Sequence, residues 1–323
     1  MRYTKLLALP CCAALALGAA ACGGEDASDT GSSSGGNAGS GDQKLSGTIK
    51  IDGSSTVFPL AQAAAETFQQ QNPGVKITVG ESGTGGGFEK FCNGETDISD
   101  ASRPIEDDEK GACSEKQVTF DEIQVANDGI AVVSNPNLNI DCLTTDQLKQ
   151  LWATNEAKTY NQVDPKLPNA KVSLFGPGTD SGTFDFFTGE INGEEGKTRK
   201  DYQPSEDDNV LVQGVAGDKN GLGYFGFSYY EQNQDKLNLI AVNNGSGCVK
   251  PSSADIQSGK YKPLSRPLFM YPSSAALNRP AVKAFMDYVV ANYKEISEAA
   301  QIVPMTDAQA AKSKAAVAKL AGT

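Results

Sequence analysis

Apolar positions along this chain follow two periods. Residues 49–52 and 75–79 alternate apolar and polar, the spacing of half-buried strands. Between them Ala61, Ala64, Ala65 and Phe68 fall at helical spacing, and that helix should stop at Asn72-Pro73-Gly74. The reading continues with a helix from near Gly86 to Asn93-Gly94, a strand over 96–99 and a charged helix over 106–113. Residues 120–133 read as a long strand region, interrupted at Asn127-Asp128-Gly129, that could cross between lobes. Thr144 opens a capping box with Gln147, and Leu148, Leu151 and Trp152 face inward. Strands follow over 172–175, 224–226, 237–242 and 264–271, the last a candidate return crossing; residues 210–217 read as either a strand or a helix start. Two helices close the chain, over 280–293 and 306–320, the second docked on the first lobe. Strands alternating with helices predict an α/β protein.

The chemistry gathers where strands run into helices. Gly53-Ser54-Ser55-Thr56-Val57 follows the first strand, and Ser82-Gly83-Thr84-Gly85-Gly86-Gly87 follows the second. Asp100-Ala101-Ser102-Arg103-Pro104 follows the third, and Gly176-Pro177-Gly178-Thr179-Asp180-Ser181-Gly182-Thr183-Phe184 follows the strand at 172–175. Strand, small-residue turn and helix start is an arrangement that binds anions, because unpaired backbone N–H groups converge there and hydroxyls add donors. Each stretch alone is equally what a capped turn looks like. Their repetition at the C-terminal ends of strands, where open α/β sheets bind ligands, favours the functional reading. The glycine run is neither a phosphate loop with GK[ST] nor a good dinucleotide fingerprint. Arg103 could contact an anion or form a surface ion pair.

Composition narrows this further. Arg2 and Lys5 precede an apolar run over 6–21 that is short for a membrane span, and Ala19-Ala20-Ala21-Cys22 resembles a lipobox. The expectation is a signal peptide over 1–21 and lipidation of Cys22. Residues 22–44 are rich in Gly and Ser and should form a flexible tether. Four cysteines lie beyond Cys22, and outside the cytoplasm they suggest two disulfides. Cys92–Cys113 with Cys142–Cys248 is favoured, since the first pair closes a short loop. The chain has no histidine and no CxxC, so zinc is not expected. Net charge is −12; without Arg2 and Lys5 there are 26 basic against 40 acidic residues, a formal −14. Such a protein is a poor nucleic-acid binder, and an anion site on it must rely on local donors.

The four hydroxyl and glycine stretches, with Gly223-Tyr224-Phe225-Gly226, together resemble the phosphate-binding protein of the bacterial high-affinity phosphate ABC importer, a type II periplasmic solute-binding protein family. The resemblance implies an α/β, two-lobed clamshell of the periplasmic-binding-protein fold, each lobe a mixed sheet flanked by helices, with two hinge crossings. Lobe 1 would be 45–126 with 266–323, and lobe 2 would be 127–265. It implies phosphate held by Ser55, Thr56, Val57, Thr84, Ser181, Gly182 and Thr183. Two departures stand out: Ser102, itself expected among the phosphate-binding residues, occupies a position where some relatives carry an acceptor Asp, and Pro177 one where they carry an Arg. The expectation is a relocated pair, Arg103 as cation and Asp180 as acceptor of the phosphate proton, although Asp180 could instead only cap the helix. The implied partners are inorganic phosphate, the membrane permease of an ABC importer, and the membrane through a lipid anchor at Cys22. The implied protein is a monomer on the outer face of the cell membrane, with no nucleic acid, cofactor, metal or enzymatic activity. Alternatives are a binding protein for sulfate, molybdate or tungstate, or a secreted serine hydrolase or phosphatase; the missing histidine removes the usual base.

Overall fold

The computed structural model describes residues 45–153, 157–179, 181–205 and 207–320. The expected signal peptide, tether, Cys22 and Asp180 lie outside these residues. Twelve strands occur among the described residues: β1 (Gly47–Gly53), β2 (Val75–Val79), β3 (Ile98–Ala101), β4 (Ile123–Ser134), β5 (Cys142–Thr144), β6 (Ser173–Pro177), β7 (Gln203–Ser205), β8 (Gly221–Gly226), β9 (Asn238–Leu239), β10 (Ala241–Asn243), β11 (Cys248–Val249) and β12 (Ser265–Pro272). The helices that shape the site are α1 (Phe58–Gln71), α2 (Gly83–Cys92), α3 (Asp107–Glu115), α4 (Thr145–Trp152), α5 (Gly182–Phe187) and α6 (Asp208–Gly217).

The main sheet has the order β2-β1-β3-β12-β4-β8-β6-β7, with β9 also on β4; β11-β10-β5 forms a small second sheet. Parallel pairs stand at both ends, β1 with β2 and β3, and β6 with β7 and β8. In the middle β12 runs antiparallel to both β3 and β4, and β4 runs antiparallel to β8. The two long strands β4 and β12 thus carry the chain between two lobes. Each lobe has its own core. Ile49, Ile51, Ala64, Phe68, Ile77, Phe285 and Val317 pack in the first, where the C-terminal helix Asp307–Leu320 docks. Val132, Leu148, Trp152, Phe187, Leu222 and Tyr224 pack in the second. Trp152 is a packing residue, as its helical spacing suggests: it is fully buried and meets Phe187 and Tyr224 ring to ring. The mixed α/β, two-lobed expectation holds.

Three local expectations are corrected. Residues 127–129 do not interrupt a strand; β4 passes straight through them. Their polar groups are answered by tertiary partners, which lets a turn-like tripeptide stay extended. Asn127 N–H donates to Val303 O at 2.8 Å, its side-chain amide donates to Pro304 O at 3.0 Å, and Asp128 pairs with Arg266. The second helix begins at Gly83 rather than near Gly86, despite four glycines in its first five residues. Intrinsic propensity opposes that helix, and close packing favours it: a methyl on Gly87 would lie 2.5 Å from Gly53 Cα. Residues 210–217 form helix α6, capped by Asp207, whose carboxylate accepts from Asn209 N–H at 2.9 Å.

Both expected disulfides are present, Cys92–Cys113 and Cys142–Cys248. The first ties α2 to α3, and the second joins β5 to β11. Among the described residues no helix is long and apolar enough to cross a membrane.

Candidate functional site

The first wall is built by Ser54. Its N–H donates to Asp100 O on β3 at 2.9 Å, its carbonyl accepts from Val57 N–H at 3.1 Å and Phe58 N–H at 2.9 Å, and its hydroxyl accepts from Thr56 N–H at 3.2 Å. Ser54 therefore folds the turn that starts α1. Ser55 and Thr56 are left facing outward, partly exposed, while Val57 is fully buried with its amide already engaged. Gly53 is required here: its φ is +147°, and a methyl on it would collide with the Asp100 backbone.

The second wall comes from the other lobe. Ser181 caps α5 by accepting from Thr183 N–H at 3.2 Å. Gly182 then meets the first wall directly. A methyl at Gly182 would sit 2.7 Å from Thr56 N and closer still to the hydroxyls of Ser55 and Thr56. No larger residue fits there without separating the two turns.

A third wall joins α2 to the end of β3. Thr84 Oγ1 accepts from Ser102 N–H at 3.2 Å and lies 3.2 Å from Ser102 Oγ. Next to it Arg103 is held within its own lobe. Its two terminal nitrogens each donate to Glu109 at 2.8 Å, and Nε lies 3.2 Å from Glu106. The Glu109 carboxylate strengthens its hold on the proton, raising Arg103 above the ordinary arginine value.

The arginine that joins the walls is Arg266, on β12. Its Nη2 donates to Thr56 Oγ1 at 2.9 Å and to Gly182 O at 3.2 Å, so one guanidinium touches a turn from each lobe. Its Nε donates to Asp128 Oδ2 on β4 at 3.2 Å, and the ring of Phe186 lies 3.8 Å below it. Burial lowers Arg266 from its ordinary value and Asp128 pushes back; an arginine remains charged under such a balance. Sequence reasoning passed over this residue. The available signal was a lone charged residue, an arginine, inside the strand 264–271.

These walls enclose a cavity of about 440 Å³. Of the residues expected at the site, Ser55, Thr56, Thr84, Ser102, Arg103 and Gly182 line it, together with Arg266. Val57, Ser181 and Thr183 are not part of this lining: Val57 is buried, and Ser181 caps α5 on the Thr183 N–H. Asp180 lies outside the described residues. Asp185, Glu190 and Glu195 also line the cavity. Burial raises the Asp185 carboxyl above its usual range and Glu195 adds to this, while Arg266 pulls it down. Glu190 is likewise raised by burial and lowered by Arg266. Among the described residues no group of three His, Cys, Asp or Glu side chains could hold a metal ion.

Two more carboxyls lie below the first wall. Burial raises Asp52, but Lys90 at 2.7 Å and the Ser82 hydroxyl outweigh it and hold the group below its usual value. Asp100 is fully buried, and neither carboxyl oxygen has a hydrogen-bond partner. Burial pushes it well above the ordinary carboxyl value, and Asp52 nearby adds to the rise.

Comparison with known proteins agrees with this fold. A family model described as a PBP superfamily domain matches residues 38–292. The protein SphX of Synechococcus elongatus is 45% identical over 261 residues, covering 80% of this chain and 77% of SphX. The phosphate-binding protein PstS of Staphylococcus saprophyticus is 40% identical over 296 residues, covering 91% of this chain and 87% of PstS. The crystal structure of a possible phosphate binding protein from Planctomyces limnophilus matches with a TM-score of 0.81 at 40% identity, covering 86% of this chain and 99% of that one. An ABC-type phosphate transport receptor from Vibrio cholerae shares the fold at a TM-score of 0.65 and 21% identity, over 79% of this chain and 99% of the receptor. Two lobes, two crossing strands and a polar cavity between hydroxyl turns define a solute-binding protein. The chain belongs to the PBP superfamily and, within it, to the family that includes the phosphate-binding protein PstS.

Proposed function

We propose that this protein captures inorganic phosphate between its lobes and delivers it to the permease of an ABC importer. The observation that carries the reading is the junction of Ser55 and Thr56 from one lobe with Gly182 from the other around the single guanidinium of Arg266. An oxyanion there would meet hydroxyl and backbone donors on both sides and one desolvated cation. Charge-assisted hydrogen bonds of this kind are the strong ones. Arg266, not the Glu109-bound Arg103, takes the cation role in this reading, with Ser102 and Thr84 as hydroxyl donors on the third wall. Val57, Ser181 and Thr183 organise the turns.

The protein would act outside the cytoplasm as a lipid-anchored monomer, tethered through Cys22 to the outer face of the cell membrane. A signal-like segment, the Ala-Ala-Ala-Cys run and a Gly/Ser-rich stretch support this. Binding without catalysis is the reading, supported by relatives named for binding and by a chain without histidine.

Calorimetric titration of phosphate, sulfate and molybdate into ligand-stripped protein tests it. The expected result is tight binding of phosphate and weak binding of the others. Failure to bind phosphate at micromolar concentration would refute the reading, and preferential binding of sulfate or molybdate would replace it with the second oxyanion.

A further inference from the structure

We propose that residues 301–305, with Gln309 and Gln257, form a strap behind the hinge that favours the closed cleft and so tightens phosphate binding. Its effect on affinity rests on the reading just given; its effect on the lobes does not.

Asn127 and Asp128 are consecutive in the extended strand β4, so their side chains leave on opposite faces. Asp128 faces the cleft, where it holds Arg266. Asn127 faces away and meets a second set of polar groups. Its side-chain amide donates to Pro304 O at 3.0 Å and to Gln309 Oε1 at 3.3 Å, and its Oδ1 accepts from Gln309 Nε2 at 3.3 Å. The same Gln309 nitrogen donates to Gln257 O at 3.1 Å, and Gln257 Nε2 donates to Pro304 O at 3.0 Å.

These partners come from both lobes. Gln309 lies on the C-terminal helix Asp307–Leu320, whose Val317 and Leu320 pack in the first core. Gln257 ends the short helix Ser253–Gln257, whose Ile256 packs in the second. Val303 also packs in the second core, and it bridges β4 at Asn127 on the edge that β12 leaves open. Residues 301–305 thus cross between the lobes a third time, beside β4 and β12. Gln301 starts the crossing with φ +55°, in the left-handed region where glycine is the usual residue. Contacts rather than local preference hold this path.

The hinge couples front to back. The turns at Thr56 and Gly182 touch in front while the amide network is complete behind. A rotation about β4 and β12 that separates the turns moves Gln309 relative to Gln257, and hydrogen bonds weaken steeply as length and alignment are lost. The strap therefore stabilises the closed arrangement. Apparent affinity falls in proportion to the fraction of molecules able to close on the ligand.

The test uses Gln309→Glu and Gln257→Ala. Gln309→Glu keeps the side-chain oxygen that accepts from Thr306 N–H at 2.8 Å at the start of the helix, and removes only the Nε2 donor. Gln257→Ala breaks the strap from the other lobe and keeps the test open should the first variant misfold. Pulsed EPR between spin labels, one on each lobe, reads the lobe separation in ligand-stripped protein, and calorimetry reads phosphate affinity. Each variant should shift the distances toward wider lobes and weaken phosphate binding about three- to tenfold, the scale of one hydrogen bond. The proposal is overturned if the distances stay at wild-type values, or if phosphate binding is unchanged or tighter. A wild type that binds no phosphate would sink the anion-site reading, while the distances would still decide the strap.

Discussion

Arg266 is the residue on which the two walls converge. Removing a buried, hydrogen-bonded charge that touches ligand typically costs about 2–5 kcal/mol. Arg266→Ala should therefore weaken phosphate binding by roughly thirty-fold or more, since each 1.4 kcal/mol is about tenfold. Arg266→Lys should recover little, because one ammonium cannot reach Thr56, Gly182 and Asp128 together in the planar arrangement seen here. Arg103→Ala should lose much less, since its guanidinium is held by Glu109 and Glu106. Calorimetry on the three variants ranks them. Gly182→Ala makes a different prediction: a methyl pressed against Ser55 and Thr56 should hold the turns apart and cut affinity while thermal stability stays near wild type. Asp100 carries a pH signature. Its folded value is raised well above the ordinary carboxyl value of about 4, so the unfolded chain releases this proton first as pH rises. The stability it contributes is complete below that ordinary value and is lost as pH climbs toward the folded one. Asp100→Asn should therefore stabilise the protein at neutral pH and change it little near pH 4, a difference that thermal unfolding across pH will report.

At the scale of elements, the disulfides offer a comparison. They span sequence separations of 21 and 106 residues. In the chain-entropy view a long loop yields more stabilisation than a short one, about 4.7 against about 3 kcal/mol for loops of roughly 100 and 15 residues. Replacing Cys142 and Cys248 by alanine should thus lower unfolding free energy by about 1 kcal/mol more than replacing Cys92 and Cys113, measurable by denaturant titration. Elements also show where sequence patterns held and where they failed. Helix α1, with its apolar face at Ala61, Ala64, Ala65 and Phe68, and the α4 capping box were legible because period and cap are local signals. The start of α2 was not, because four glycines argue against a helix until packing on Gly53 is known. β4 was misread at Asn127-Asp128-Gly129 because the groups that satisfy those residues, Val303, Pro304 and Arg266, lie more than a hundred positions away.

For the whole molecule, charge and ligand oppose one another. The chain carries a formal −12, so a phosphate dianion is repelled at long range and held only by contact. Raising salt from about 10 mM to about 0.15 M shortens the screening length from about 30 to about 8 Å. The association rate for phosphate should therefore rise with ionic strength, opposite to an electrostatically steered binder. Stopped-flow measurement of a fluorescent conjugate checks this; a rate that falls with salt would mean the cavity's local field governs capture.

The sequence by itself determined the α/β alternation, the hydroxyl and glycine turns at strand ends and the family, and it favoured the cysteine pairing that the structure shows. All of these are carried by local pattern or by residue order. Tertiary structure alone decided how the repeated turns are used. Those at Ser55–Thr56 and Gly182 meet, Val57 turns inward, and Arg103 is held by Glu109. It also brought Arg266 between them, from a strand that reads only as a candidate return crossing. The reason is geometric: β12 lies between β3 and β4 in the sheet, so a residue late in the chain reaches both lobes at once. No spacing along the chain encodes that adjacency.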